Sequence, residues 1–101
     1  MLEREFFLGF IKVHILYHAS RGTICGTEIA EELTRHGYSL SPGTLYPTLH
    51  RLERDGYLES GSEVIYGRVR KYYRATVEGR LALEQAREKI RELISEVFEE
   101  E

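Results

Sequence analysis

No tryptophan occurs in this chain, and it has a single cysteine and only two prolines. Each scarcity excludes something. A lone Cys25 rules out an internal disulfide framework and fits a reducing cytoplasm. Beside an apolar helix, a single thiol is more often a small core residue than a redox sensor. Without an indole, a tryptophan-lined drug site is excluded. The apolar run Phe6 to Tyr17 is too short to span a bilayer and is broken by Gly9, Lys12 and His14. Nothing resembles a signal peptide. No glycine-rich phosphate loop, nucleophile elbow or paired acid–base constellation appears, so an enzyme is not expected, nor a cofactor. Repeats, low-complexity segments and long linkers are also missing. The 101 residues suggest one domain with a modest core.

A surplus of positive charge is missing too: 14 Lys and Arg stand against 17 Asp and Glu, a net −3. That sum argues against nucleic acid. Screening confines each charge to about 8–10 Å, however, so the local balance decides. Residues 1–40 hold four basic and five acidic side chains, residues 41–76 six and four, and residues 77–101 four and eight. From Val64 to Thr76 there are four basic residues, Arg68, Arg70, Lys71 and Arg74, and no acidic one.

Both prolines fall in SPGTLYPTLHRLERDGY, Ser41 to Tyr57. This stretch is expected to be one short helix. Ser41 is placed as the N-cap and Pro42 as the first helical residue, where a missing N–H costs nothing. Leu45, Leu49 and Leu52 recur at i, i+4 and i+7 and form an apolar stripe. Gly56 supplies a left-handed stop. The other face carries Thr44, Pro47, Thr48, His50, Arg51 and Arg54. It suits a DNA groove, or a solvated surface. Pro47 is the odd residue, because it removes the bond to the Gly43 carbonyl past the first turn. Either it shapes a groove-facing edge and meets a thymine methyl, or it is harmless in an already irregular turn.

The flanking chain supplies the context. Met1 to about Ser20 reads as a helix apolar on more than one side, through Phe6, Phe7, Phe10, Ile11, Val13, Ile15 and Leu16. A domain this small cannot enclose it alone, which implies cover by a second subunit. His14 and His18 stand at i, i+4, a spacing that can hold a metal. No third ligand is evident except Cys25, such pairs more often serve packing, and no metal is expected. Thr27 to His36 reads as a second short helix, with Ile29, Ala30 and Leu33 inward, Glu28, Glu31, Glu32 and Arg35 outward, and Gly37 as its end. Only Tyr38-Ser39-Leu40 separates it from the Ser41 helix, the helix-turn-helix pattern. After Gly56 the period changes. Tyr57 to Ile65 and Arg70 to Ala75 read as strands, with Gly67 and its neighbours at the tip. Parity puts Tyr73 and Ala75 on the core face. Thr76 then N-caps a long helix, Val77 to about Phe98, with Gly79 tolerated in its first turn and Glu99-Glu100-Glu101 fraying. Its seam, Leu83, Ala86, Ile90, Leu93 or Ile94, and Val97, is narrow, as in helices that pack on a partner helix.

With these residues in place the chain resembles the PadR-like family of transcriptional regulators. The carrying residues are LSPGTLYPTLHRLERDGYL, Leu40 to Leu58, and GRVRKYYRATVEG, Gly67 to Gly79. The first block is specific and the second moderately so. The departure is Val69, where the family often has proline, and it leaves the wing-turn geometry open. The short C-terminal segment looks like the compact branch of the family.

The resemblance implies a mostly α fold with a small β-hairpin, a winged helix-turn-helix. Residues 1–76 would be the DNA-binding part and residues 77–101 the dimerisation helix. It implies a homodimeric repressor in the prokaryotic cytoplasm, off the membrane. The partner would be double-stranded DNA with a pseudo-palindromic operator, half-sites about one helical turn, ~34 Å, apart or a multiple of it. The DNA-binding residues carried over are Ser41, Pro42, Gly43, Thr44, Tyr46, Pro47, Thr48, His50 and Arg51, with Arg68, Arg70 and Lys71 in the wing. Dimerisation falls to Phe6, Phe7, Phe10, Leu83, Ala86, Ile90, Leu93, Ile94 and Val97. A small-molecule effector of unidentified kind is a further partner to consider. The alternatives are a winged-helix protein-interaction module without DNA, and a ligand- or metal-responsive sensor with Phe6, Phe7, Phe10 and Phe98 lining a pocket. Core packing is the commoner use of such aromatics.

Overall fold

Apolar periodicity builds most of the molecule. The computed structural model describes residues 2–99. Met1, assigned above to the first helix, and Glu100 and Glu101, expected to fray, lie outside the described residues. The order is α1 (Leu2–Arg21), β1 (Ile24–Cys25), α2 (Gly26–Arg35), α3 (Pro42–Arg54), β2 (Leu58–Ile65), β3 (Arg68–Ala75) and α4 (Val77–Val97). Among the described residues, no helix is long and apolar enough to cross a membrane.

One core joins all the helices. Ile11, Ile15, Leu16 and Ala19 of α1 meet Ile29 and Leu33 of α2, Leu45, Leu49 and Leu52 of α3, Leu58 and Tyr73 of the hairpin, and Leu83 of α4. Each fully buried aliphatic side chain contributes about 1.5–3 kcal/mol relative to exposure.

Helices α2 and α3 end in the same way. Gly37 and Gly56 take φ of +89° and +87°. The next N–H reaches back, Tyr38 to the Leu33 carbonyl and Tyr57 to the Leu52 carbonyl, each at 2.9 Å. These are Schellman stops, which satisfy carbonyls that the helix end would orphan.

The sheet is antiparallel in the order β1-β3-β2. Its hairpin pairs without a break from Leu58↔Ala75 to Ile65↔Arg68. Tyr66 and Gly67 form the two-residue turn, with φ of +52° and +74°. Positive φ at both positions is the type I′ requirement, which matches the twist of the strands. That settles the wing turn without a proline. The two-residue β1, absent from the sequence reading, pairs Ile24 with Tyr73 and Cys25 with Tyr72.

Three expectations are corrected. Gly79 is required rather than tolerated: a Cβ there would lie 2.1 Å from the Tyr57 carbonyl oxygen. The close approach follows from a clasp. Thr76 donates its N–H to the Tyr57 carbonyl and its hydroxyl to the Gly56 carbonyl, and its Oγ1 accepts from Gly79 N–H. Leu83 is 6% exposed and belongs to the chain's own core, so it is not free to face a partner. Glu32, read as outward, is half-buried and pairs with Arg35 at 3.1 Å.

Candidate nucleic-acid interface

Helix α3 presents a small, basic face because its apolar stripe is committed to the core. Ser41 is the N-cap in extended conformation, and Pro42 is the first helical residue. The Ser41 carbonyl accepts from Thr44 and Leu45 N–H, at 3.0 and 2.9 Å. Its side chain does not cap the helix; the hydroxyl lies 3.4 Å from Thr44 Oγ1 instead. Pro42 has no N–H and those of Thr44 and Leu45 are used, so the first turn leaves the Gly43 N–H for an anion, and the positive dipole end favours one.

Ser41, Pro42, Gly43, Tyr46, Pro47, His50 and Arg51 are exposed, and Thr44 is half-buried. Pro47 stands inside an unbroken helix. Gly43 and Pro47 are one turn apart and share the outer edge with His50 and Arg51. A Cβ on Gly43 would meet nothing closer than Ser41 Oγ at 3.7 Å. The fold itself therefore does not require glycine there.

Thr48 does not belong to this face. It is 0% exposed, and its hydroxyl donates to the Thr44 carbonyl at 2.7 Å. It lies between Leu45 and Leu49 on the buried stripe, and the local backbone bond satisfies its one polar atom. Sequence reasoning put it outside on residue type, against its own helical phase.

The hairpin stands beside α3. Glu53 links the two: it accepts from the Ser60 hydroxyl at 2.6 Å and pairs with Lys71 Nζ at 3.6 Å. Lys71 also lies over the Tyr73 ring, 5.4 Å from its centroid. Arg74 is spent on Glu59 across the strands, and Arg54 on Asp55 at 3.3 Å. Among the described residues, Arg51 and Arg68 are exposed and have no ion-pair partner.

A cleft of about 190 Å³ joins these elements, lined by Cys25, Gly26, Thr27, Tyr46, His50, Arg70, Lys71 and Tyr73. The structure thus brings Tyr46 and His50 of α3 together with Arg70 and Lys71 of the wing. Arg68 lies apart, at the hairpin tip. The Tyr46 ring covers Gly26, where a Cβ would sit 2.9 Å from Tyr46 Cε1. Burial raises the Tyr73 hydroxyl above its usual pKa, with Lys71 opposing. The α2 N-terminus borders the cleft and is tied by Cys25 N–H to Glu28 at 2.9 Å. That bond holds the Glu28 carboxyl below its usual range. Cys25 Sγ lies 3.1 Å from Thr27 Oγ1 and 3.9 Å from Arg70 Nη1. Thr27 had no functional signal in the sequence, and Cys25 was weighed there only as a thiol or a metal ligand, because only β1 and the hairpin bring them to this cleft.

Of the dimerisation set, Phe6, Phe7, Phe10, Leu93, Ile94 and Val97 are exposed, and Ala86 and Ile90 are half-buried. Phe6 packs edge-on against Phe10 at 4.7 Å and Phe7 against Tyr38 at 6.1 Å. Of the four phenylalanines weighed for a pocket, Phe6 meets both Phe7 and Phe10 edge-on, but all four are exposed. Only Phe7 lines the open groove of about 510 Å³ between α1 and the α2–α3 turn.

The model of the transcriptional regulator PadR-like family matches residues 15–85. Transcriptional regulator Rv3488 of Mycobacterium tuberculosis is 52% identical over 95 residues, spanning 94% of this chain and 89% of that protein. The crystal structure of a PadR family transcriptional regulator from Eggerthella lenta is 30% identical with a TM-score of 0.82, covering 95% of this chain and 85% of that one. Bacillus subtilis PadR in complex with operator DNA has a TM-score of 0.68 at 21% identity, over 75% of this chain and 45% of that one. That last likeness is one of fold alone.

Proposed function

Because the chain belongs to the PadR-like family of transcriptional regulators, we propose that it acts in the cytoplasm as a homodimeric repressor on a pseudo-palindromic operator. Helix α3 enters the major groove and the wing grips backbone or minor groove. The observation that carries this reading is one continuous surface. It runs from the uncapped first turn of α3, along Gly43, Pro47, His50 and Arg51, into the cleft with Arg70 and Lys71. Gly43 and Pro42 allow close approach. Gly43 in particular occupies a helical position where alanine has the higher helix propensity and where nothing in the fold crowds a methyl group. Ser41, Thr44 and Tyr46 offer hydroxyls, and Arg51 reaches a phosphate or pairs with guanine. Arg68, Arg70 and Lys71 supply the salt-dependent, sequence-independent part of binding. The reading includes no catalytic step, and Thr48 takes no part in it.

Two uncovered apolar surfaces support the dimer: Phe6, Phe7 and Phe10 on α1, and Ala86, Ile90, Leu93, Ile94 and Val97 on α4. Residues 77–101 then serve as the dimerisation helix, and residues 1–76 as the DNA-binding part.

The test is selection from a random duplex library, followed by affinity on the selected and on random DNA. An inverted repeat is expected, and Arg51→Ala should weaken the selected site more than random DNA. Equal loss on both would reassign Arg51 to phosphate. No enriched sequence at all would favour the protein-interaction reading.

A further inference from the structure

Three of the four histidines meet at one place, away from the face assigned to DNA. His14 and His18 lie one turn apart on α1, and His36 is the C-cap of α2. One ring nitrogen from each lies within 4.8 Å of the others. The His14 and His36 rings stack with centroids 4.8 Å apart and planes 25° apart. His18 and His36 are 6.5 Å apart. His18 Nε2 is buried with no hydrogen-bond partner. Its nearest carboxylate oxygen, Glu32 Oε2, is 3.9 Å away. A buried nitrogen without a partner is costly and calls for an explanation such as an ion.

We propose that His14, His18 and His36 form a binding site for a divalent transition cation of the zinc type. The donor set fixes the class. Three neutral imidazoles suit Zn²⁺, Co²⁺, Ni²⁺ or Cu²⁺, whereas Mg²⁺ and Ca²⁺ take oxygen ligands. Burial first, then the neighbouring His36 and His18, hold His14 below its ordinary pKa, and the neutral ring is the form that ligates. Nitrogens that share a tetrahedral zinc at about 2.0–2.1 Å stand roughly 3.3 Å apart. Binding would therefore have to draw the three nitrogens, now within 4.8 Å of one another, closer and turn the stacked His14 and His36 rings toward the ion. The site opens on a groove lined by Val13, Tyr17, Leu83 and Arg87 as well as the histidines, which leaves a fourth position for water or an exogenous ligand. Glu32 adds a negative charge beside it, shared with Arg35. Arg87 of α4 is the like charge that the cation faces.

Sequence spacing supplied only the α1 pair and offered Cys25 as a third ligand. The fold places Cys25 in the wing cleft and brings His36 instead. A bound cation would therefore tie α1 to the turn between α2 and α3. The site does not depend on the DNA reading.

The experiment is titration of chelator-stripped protein with Zn²⁺ against a chromophoric chelator, with parallel NMR spectra of the imidazole rings. One Zn²⁺ per chain is expected. The ring signals of His14, His18 and His36 should move while His50 stays unchanged. His14→Gln and His36→Gln should each weaken affinity at least tenfold, and His50→Gln should not change it. No uptake, equal affinity in all variants, or movement of His50 instead of the three would overturn the proposal. The ring spectra use the unaltered protein, so the test holds even where a variant fails to fold.

Discussion

Thr48 and Arg51 stand three residues apart on α3 and have opposite fates. Thr48 is sealed in the core with its hydroxyl on the Thr44 carbonyl; Arg51 is exposed. Thr48→Val keeps the shape and removes only that local bond. Its effect on stability should stay within about 1 kcal/mol, with operator affinity unchanged in a gel shift. A tenfold affinity loss with intact folding would return Thr48 to the DNA face. The glycines divide in the same way. Gly79→Ala drives a methyl group into the Tyr57 carbonyl and should cost about 1–3 kcal/mol in a urea titration. An unmoved midpoint would mean that the clasp gives way at no cost. Gly43→Ala should leave stability equal or improved while operator affinity falls, because the space it fills lies outside the chain. Unchanged affinity would show that DNA does not approach there.

At the scale of elements, what was legible depended on whether the signal was local. Helices α2 and α3 carry their stops in Gly37 and Gly56, and their phase in leucines and isoleucines one turn apart. The hairpin followed from strand parity, with Tyr73 inward. Strand β1 has two residues and no periodicity to read; its partners Tyr72 and Tyr73 lie nearly fifty positions away. The third histidine was hidden for the same reason. Leu83 misled because one stripe serves two surroundings. The first turns of α4 pack on the chain's own core, whereas Leu93, Ile94 and Val97 lie beyond it. Of the candidate interface, the exposed edge of α3 was legible from its helical phase, with Thr48 the residue misplaced. The cleft that joins it to Arg70 and Lys71 was not, because it is made by contacts between elements. The wing carries its own test. Arg68→Ala or Arg70→Ala should weaken the operator and random DNA alike and reduce the salt slope by about one. An unchanged slope would remove that residue from the phosphate contacts.

The whole molecule extends over 60 × 28 × 21 Å, and the described residues after Leu83 on α4 include none that is buried. A helix of 21 residues is about 31 Å long, and its second half leaves Leu93 and Ile94 exposed, the surface proposed above for a second chain. Exchanging both for glutamate should give a monomer in sedimentation with the core still folded, since neither contributes to it. A persistent dimer would move the interface elsewhere.

The most direct test of the central claim is hydroxyl-radical footprinting of the protein on its selected duplex. Two chains bound face to face through α1 and α4 should protect two half-sites, centred about one helical turn, ~34 Å, apart or a multiple of it. A single protected patch, or protection no stronger than on random DNA, would contradict the account.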